Sequence, residues 1–300
     1  MEHAEHLAEA VAYTKDTFLQ IEGLITWVKL FLAVIIPLLS GYAAATLFLQ
    51  FIIKPILVNI LVTPELGFTE NAIAYMLQYP AVLIGILCIF LFPYYQGYLC
   101  RCMKDREIPK QLSFSGLFRT GWKINALILY YAIPLIVLLL LYAILFSYLN
   151  EALDIILAGE FAALSAVIDY TALAVYIILE ILTLIFLSLF SCLGLVHLSR
   201  TGSLKESVNM GRIADLIRRI GWYDYILCIV IITIIILTIL VFFLGLAGIF
   251  HYAPAANIVS SGLLLFFLIP TGIFVTRYLA NIYDTAFVET EEDIEEFDDF

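Results

Sequence analysis

The stretch RTGWKINALILYYAIP, from Arg119 to Pro134, places basic residues and a tryptophan directly before a long apolar run. Tryptophan favours the interface between lipid and water, and lysine and arginine favour the inner side of a membrane. The stretch therefore predicts a point at which the chain enters a bilayer. The other two tryptophans, Trp27 and Trp222, precede similar apolar runs, and this repetition indicates the architecture of the whole chain.

The composition excludes an ordinary soluble fold. Of the 300 residues, 63% are hydrophobic, and the mean hydropathy is +1.03. A soluble domain is about 45–50% apolar, and its interior grows too slowly with size to bury this excess. Several stretches exceed ~18 nearly uncharged residues, which is enough to cross a hydrocarbon core of about 30 Å. We therefore predict an all-α, polytopic membrane protein.

Six transmembrane helices are predicted from these apolar runs. Their approximate ranges are 25–50, 79–99, 124–148, 171–198, 224–250 and 257–281. Fourteen of the fifteen basic residues then fall on the side that holds both termini and the second and fourth connections, and Lys54 is the exception. Because cytoplasmic loops are enriched in lysine and arginine, we predict a multi-pass protein of the cell membrane with both termini in the cytoplasm.

The tryptophan junctions predict an internal repeat. Trp27, Trp122 and Trp222 are separated by 95 and 100 residues, and a short amphipathic stretch precedes each of them. Each returning helix ends with a glycine that an arginine follows four to six residues later. These glycines are Gly97, Gly194 and Gly272.

We interpret the domain as three helical hairpins with cytoplasmic interfacial helices. The repeats cover about 18–104, 112–205 and 207–285. Because each repeat contains two crossings, the hairpins are parallel rather than inverted, and a symmetry axis would run along the membrane normal.

The negative charge belongs mainly to the C-terminal tail. The net charge is -11, but residues 284–300 hold nine acidic residues and no basic one. Such a segment is typical of disorder. We predict a single six-helix transmembrane domain at 1–285 and a disordered acidic cytoplasmic tail at 286–300. The tail either stays solvated, binds a basic protein partner or folds back on the basic loops of this chain.

The segment GYLCRCMKDREIPKQLSFSGLFRTGWKINALILYYAIP, residues 97–134, resembles the signature of an uncharacterised archaeal membrane family, domain of unknown function 4013. The second cytoplasmic connection, 200–227, also resembles the corresponding connection of that family. The resemblance extends over about 15–285 and implies a six-helix archaeal membrane protein, without implying an activity or catalytic residues. The signature residues are Gly97, Tyr98, Arg101, Ile108, Pro109, Leu117, Phe118 and Gly121.

Glu180 is the candidate for a functional residue inside the membrane, since it lies near the middle of the predicted fourth helix. Acids at this depth are costly and often mark an ion or proton path. The alternative, which we favour, is a structural glutamate that hydrogen-bonds a neighbouring helix, because the sequence shows no acidic or basic partner at that depth.

Arginines close to the membrane are candidates for contacts with anionic lipid headgroups, although the inside preference of basic residues explains them equally well. The candidates are Arg101, Arg200, Arg212, Arg218, Arg219 and Arg277. The three tryptophans are the predicted interfacial anchors.

The sequence carries no pattern typical of an enzyme, such as a phosphate-binding loop, HExxH or GxSxG. His3 and His6 lie three residues apart, but we expect an exposed, fraying terminus to make a poor metal site. We predict no catalytic residue, cofactor, metal or nucleic-acid partner.

Three functions stay open at this point. The favoured one is a membrane scaffold or accessory subunit that binds lipid or a protein partner through its cytoplasmic face. The second is a channel or transporter with a path between the hairpins near Glu180. The third is an intramembrane or lipid-modifying enzyme.

Overall fold

A computed structural model describes residues 3–19, 21–61, 70–105, 114–156, 162–249 and 254–298. The described chain is almost entirely helical and contains no strand. The helices are α1 (His3–Leu19), α2 (Ile21–Phe48), α3 (Lys54–Leu61), α4 (Glu70–Leu91), α5 (Tyr94–Lys104), α6 (Phe114–Ile156), α7 (Ala162–Thr201), α8 (Leu204–Ser207), α9 (Met210–Ile220), α10 (Trp222–Ile249) and α11 (Pro254–Asp298), with a π-helical turn (Leu49–Ile53) between α2 and α3.

Within the described ranges, five helical segments are long and apolar enough to cross a membrane. They are Gly23–Asn59, Ser115–Ile144, Thr171–Thr201, Trp222–Phe243 and Gly262–Phe287. A sixth crossing is present if Met76–Leu91 and Tyr94–Lys104, which meet at a bend of 44°, form one span. The predicted all-α class is thus confirmed for the described residues, and the five or six candidate spans agree with a multi-pass membrane protein.

The second predicted helix, 79–99, is broken rather than continuous. Pro93 lies between α4 and α5 with φ -81° and ψ 48°, outside the helical region. A proline has no N–H to donate, and its ring clashes with the preceding turn. The amide of Tyr94 accordingly donates to the carbonyl of Phe92 at 2.8 Å, and the amide of Gly97 donates to the carbonyl of Pro93 at 3.0 Å, which starts α5.

This break frees the carbonyl of Phe90, because the amide of Tyr94 would normally bind it. Asn125 of α6 donates its side-chain Nδ2 to that oxygen at 2.7 Å. Backbone groups have no water partner in a bilayer core, so internal donors must replace the missing helical bonds. The break in one helix is therefore bridged by a polar side chain of another.

The same arrangement occurs in α11. Pro270 cannot donate to the carbonyl of Phe266, four residues earlier. The indole Nε1 of Trp27 in α2 donates to that carbonyl at 3.1 Å. The indole ring also stacks on the ring of Phe266, with the centroids 4.0 Å apart. Trp27, predicted as an interfacial anchor, is thus also a hydrogen-bond donor within the protein.

Glycines bring α5 and α6 into backbone contact. A Cβ atom added to Gly97 would lie 2.0 Å from the carbonyl oxygen of Leu117, and one added to Gly121 would lie 1.9 Å from that of Pro93. Tyr98 and Leu117 are buried beside this contact. Several residues of the predicted family signature therefore form one packing unit.

The chain forms two compact units, which we describe separately. Unit 1 comprises Met1–Asn125 and Val230–Ile282, and unit 2 comprises Ala126–Ile229 and Tyr283–Phe300. The contacts described above lie in unit 1. In unit 2, Tyr131 of α6 donates to the carbonyl of Ser207 at 3.1 Å, and the hydroxyl of Tyr225 in α10 donates to the carbonyl of Leu189 in α7.

The three stretches predicted as interfacial helices differ in structure. The third forms a separate helix, α9, which ends before Gly221 at a φ of 95°. The second forms the first turns of α6, and the first spans the junction of α1 and α2. The repeat with its three hairpins therefore stays a prediction.

The ends of the long helices also differ from the predicted boundaries. α6 continues as one helix to Ile156, well past the predicted end at 148. α11 continues to Asp298 and so runs through the acidic segment for which the sequence predicts disorder. Residues 62–69 and 157–161, which belong to the predicted outer loops, lie outside the described residues.

The backbone contact between α5 and α6 gives a stability prediction. Gly97→Ala and Gly121→Ala each push a methyl group into a carbonyl oxygen, so we expect each to lower the unfolding free energy by about 1–3 kcal/mol or more. Gly245→Ala is the matched control, because nothing lies within 4 Å of its added Cβ. Thermal unfolding of the purified protein measures the difference, and equal midpoints for the Gly97→Ala and Gly245→Ala proteins would contradict the proposed contact.

Candidate functional site

Helix α9 carries the most strongly segregated surface that the structure describes. Asn209 caps its N-terminus, accepting a hydrogen bond from the amide of Arg212 at 3.3 Å. Its apolar side is buried in unit 2, whereas its charged side faces outward. The buried residues are Ile213, Leu216, Ile217 and Ile220. This pattern is typical of an amphipathic helix lying along an interface.

Two arginines stand out on the charged side of α9. The side chain of Arg218 is 78% exposed, and its ion pair with Asp215 is long at 3.9 Å. Arg219 is also exposed. Arg212 is engaged more closely, with its Nη1 3.1 Å from Oε2 of Glu206. An exposed pair at such a distance contributes little energy, so Arg218 and Arg219 stay available to an anionic ligand.

Arg277 of α11 lies in the interior of unit 1. Its side chain is 5% exposed, and its Nη2 contacts Oε1 of Glu9 at 3.0 Å. Its Nη1 donates to the carbonyl of Asp105 at 3.4 Å, and the guanidinium lies 4.9 Å from the ring centroid of Tyr13. A carboxylate, a carbonyl and an aromatic face therefore hold this cation inside the protein, although its Nε is buried without a hydrogen-bond partner among the described residues.

The N-terminal helix is docked on α11. His3 Nδ1 lies 3.0 Å from the hydroxyl of Tyr278, and Nδ2 of Asn281 donates to the carbonyl of His6 at 3.3 Å. The expectation of an exposed, fraying N-terminus is thus wrong for residues 3–19. These residues form α1, which packs on α11 through one face. The residues of this face are spaced alternately three and four apart, which is the spacing of one side of a helix and is visible in the sequence. They are His3, His6, Ala10, Tyr13 and Thr17.

Burial of Tyr13 between these helices changes its chemistry. The loss of hydration raises the pKa of its hydroxyl well above the ordinary value, and the nearby Cys102 raises it further, while Arg277 opposes the shift. A tyrosine in this state stays neutral at physiological pH. It therefore offers Arg277 an aromatic face rather than a negative charge.

Arg200 of α7 is also engaged. Its Nη2 lies 2.8 Å from both carboxylate oxygens of Asp284. One helical turn away, the buried His197 places Nδ1 2.8 Å from the hydroxyl of Tyr283, and its Nε2 lies 3.5 Å from Oε2 of Glu206. This polar cluster of unit 2 was missed in the sequence, since its members are up to 86 residues apart and follow no common motif.

The remaining predicted site residues have distinct settings. Arg101 lies in the last turn of α5 and is half-buried. Trp122 and Trp222 are exposed on α6 and at the start of α10, as an interfacial anchor would be. The headgroup contact of Arg101 and the anchoring role of the two tryptophans stay predictions.

Glu180 lies within the apolar segment of α7. It is half-buried, and its Oε2 atom is buried without a hydrogen-bond partner. One turn earlier, Tyr176 stacks on Tyr142 of α6 with ring centroids 4.1 Å apart. Among the described residues, no donor from a neighbouring helix reaches that oxygen, and the structural interpretation of Glu180 stays a prediction.

The described residues contain no group of three or more potential metal ligands, and no disulfide joins the cysteines among them.

Residues 81–250 match the family described as "Protein of unknown function (DUF4013)". The chain belongs to this family. The DUF4013 match contains both segments that predicted it, 97–134 and 200–227, and therefore includes the Pro93 break, α9 and Glu180. Helices α1 and α2 lie before the match. No curated protein and no solved structure is significantly similar to the chain.

The buried Arg277 gives a second prediction. Glu9→Ala leaves the guanidinium in the interior without its carboxylate, so we expect a loss of about 1–3 kcal/mol and faster amide hydrogen exchange throughout α1. Glu5→Ala, an exposed position on the same helix, is the control and is expected to change neither. The double variant Glu9→Ala/Arg277→Met removes the uncompensated charge and is expected to recover part of the loss. Exchange in α1 that is the same for both single variants would show that the ion pair does not hold the helix.

Proposed function

We propose that this DUF4013 protein is a membrane scaffold or accessory subunit whose cytoplasmic face binds anionic lipid headgroups. The observation that carries the proposal is the arrangement of α9, in which the apolar side is buried while Arg218 and Arg219 project outward. Trp222 follows directly and begins the apolar helix α10. This order supports a position of both arginines at the membrane surface, where each basic residue contributes about 1 kcal/mol to attraction by anionic lipid.

The ion pairs narrow the set of lipid contacts. Arg200 and Arg277 each hold a carboxylate of this chain, and a headgroup phosphate would have to displace it. Arg212 is shared with Glu206, and Arg101 is half-buried in α5. Of the arginines predicted to contact headgroups, Arg218 and Arg219 are therefore the ones we propose. The acidic segment 286–300 is the proposed contact for a basic protein partner.

The test uses the full chain in lipid nanodiscs that contain increasing fractions of phosphatidylglycerol in phosphatidylcholine. We expect the unfolding midpoint to rise with the phosphatidylglycerol fraction and the rise to shrink at high salt, because salt screens exposed charges. The Arg218→Gln/Arg219→Gln double variant is expected to lose most of the rise. The charge-conserving Arg218→Lys/Arg219→Lys variant is the matched control and is expected to keep it. An unchanged response in the Gln variant would reject α9 as the headgroup site.

A channel or transporter is the second candidate, and the unsatisfied carboxyl oxygen of Glu180 favours it. A buried oxygen without a donor costs free energy in an apolar helix, and intramembrane acids with this property often belong to an ion or proton path.

Reconstituted liposomes test the transport candidate. If Glu180 is on a path, the protein conducts protons or cations, and Glu180→Gln lowers that flux at least about tenfold, whereas Glu180→Asp retains part of it because the acid is kept. Absence of flux in either orientation, or equal flux with glutamine, would eliminate this role.

A further inference from the structure

A groove in unit 1 forms a site that is separate from α9. It has a volume of about 400 Å³, and one side is formed by α2 and the other by the break between α4 and α5. The lining is apolar except near its ends. The lining residues that matter here are Lys29, Ala33, Pro37 and Ser40 of α2, with Phe92 and Tyr94 at the break.

The break at Pro93 explains why the groove exists. α4 stops at Leu91, and α5 leaves at a bend of 44°. Around Ser40, α2 and α4 meet closely, since a Cβ added to Gly41 would lie 2.4 Å from Sγ of Cys88, and one added to Gly85 would lie 3.0 Å from the carbonyl oxygen of Leu38. The groove is therefore bounded at one end by a tight helix contact, and its other end lies at the exposed Lys29.

The dimensions of the groove match one lipid chain. From Lys29 to Ser40 the helix rises about 16 Å at ~1.5 Å per residue. This length is close to half of a hydrocarbon core of about 30 Å, which is one leaflet. Lys29 follows Trp27, the predicted interfacial residue, so its ammonium group lies where a headgroup would be.

We propose that this groove holds one hydrocarbon chain of an anionic phospholipid, with the phosphate of the headgroup on Lys29. The apolar wall between Lys29 and Ser40 contacts the chain, and the close approach of Gly41 and Gly85 limits its depth. The charge of Lys29 makes the site selective for an anionic over a zwitterionic headgroup. This site goes beyond the α9 surface and does not depend on it, because it lies in the other unit and holds a chain as well as a headgroup.

Native mass spectrometry of the full chain, released from detergent after incubation with an equimolar mixture of phosphatidylglycerol and phosphatidylcholine, tests the proposal. The wild-type protein is expected to retain one phosphatidylglycerol molecule in preference to phosphatidylcholine. Lys29→Gln is expected to lower that preference about fivefold, which is the effect of one basic residue at the surface. Ala33→Trp fills the groove and is expected to abolish retention of either lipid.

Leu39→Trp is the matched control, because Leu39 lies on the same helix but is exposed and does not line the groove. This variant is expected to retain the lipid as the wild type does. Lys29→Gln changes only an exposed side chain, so it tests the proposal even if Ala33→Trp fails to fold. Equal retention of the two lipids by the wild type, or an unchanged preference in Lys29→Gln, would overturn the proposal. The two sites are separated by comparing the two measurements. If α9 alone fails, the Arg218→Gln/Arg219→Gln protein keeps the rise of the unfolding midpoint with phosphatidylglycerol, while the groove still retains one lipid; if the groove alone fails, the reverse is seen.

Discussion

The structure of unit 1 depends on one constraint of packed helices: a carbonyl that loses its helical donor and is enclosed by the protein needs another donor. Prolines create this problem in α11, where Pro270 removes the donor to Phe266, and at the end of α4, where Pro93 breaks the helix near Phe90. The donors come from other helices, from Trp27 at 3.1 Å and from Asn125 at 2.7 Å. Each bond therefore ties two helices together at the point where one of them is interrupted.

These interruptions also create the features to which we assign function. The bend at Pro93 separates α5 from the line of α4 and opens the groove beside Lys29. The same break lets α5 meet α6 through Gly97 and Gly121. In unit 2, by contrast, the proposed lipid surface follows from amphipathicity, with α9 ended by Gly221 just before α10 begins. Irregular backbone and segregated charge are thus the separate origins of the two lipid sites that we propose.

The fold class was predictable because the length and hydropathy of a spanning helix are local properties of the sequence. The amphipathic stretch at α9 was recognised for the same reason. The partners of Arg277 and Arg200 were not predictable, since Glu9 and Asp284 are 268 and 84 residues away and no local pattern joins them. The break at Phe92–Pro93 was marked by a proline, but prolines also occur inside the continuous helices α2 and α6. The break at Pro93 coincides with contacts from Asn125 and Gly121 of α6, which no local sequence pattern reveals.

The coupling between Trp27 and Pro270 tests the account most directly. Trp27→Phe keeps an aromatic ring but removes the indole N–H, and Pro270→Ala restores a helical donor to the carbonyl of Phe266. The free energy of unfolding is measured for the two single variants, the double variant and the wild type. The account predicts that Trp27→Phe lowers the free energy of unfolding by about 1–3 kcal/mol in the protein with Pro270. In the Pro270→Ala protein, the same substitution is expected to lower it by clearly less. Equal costs in the two backgrounds would contradict it, because the indole would then not be replacing the bond that the proline removes.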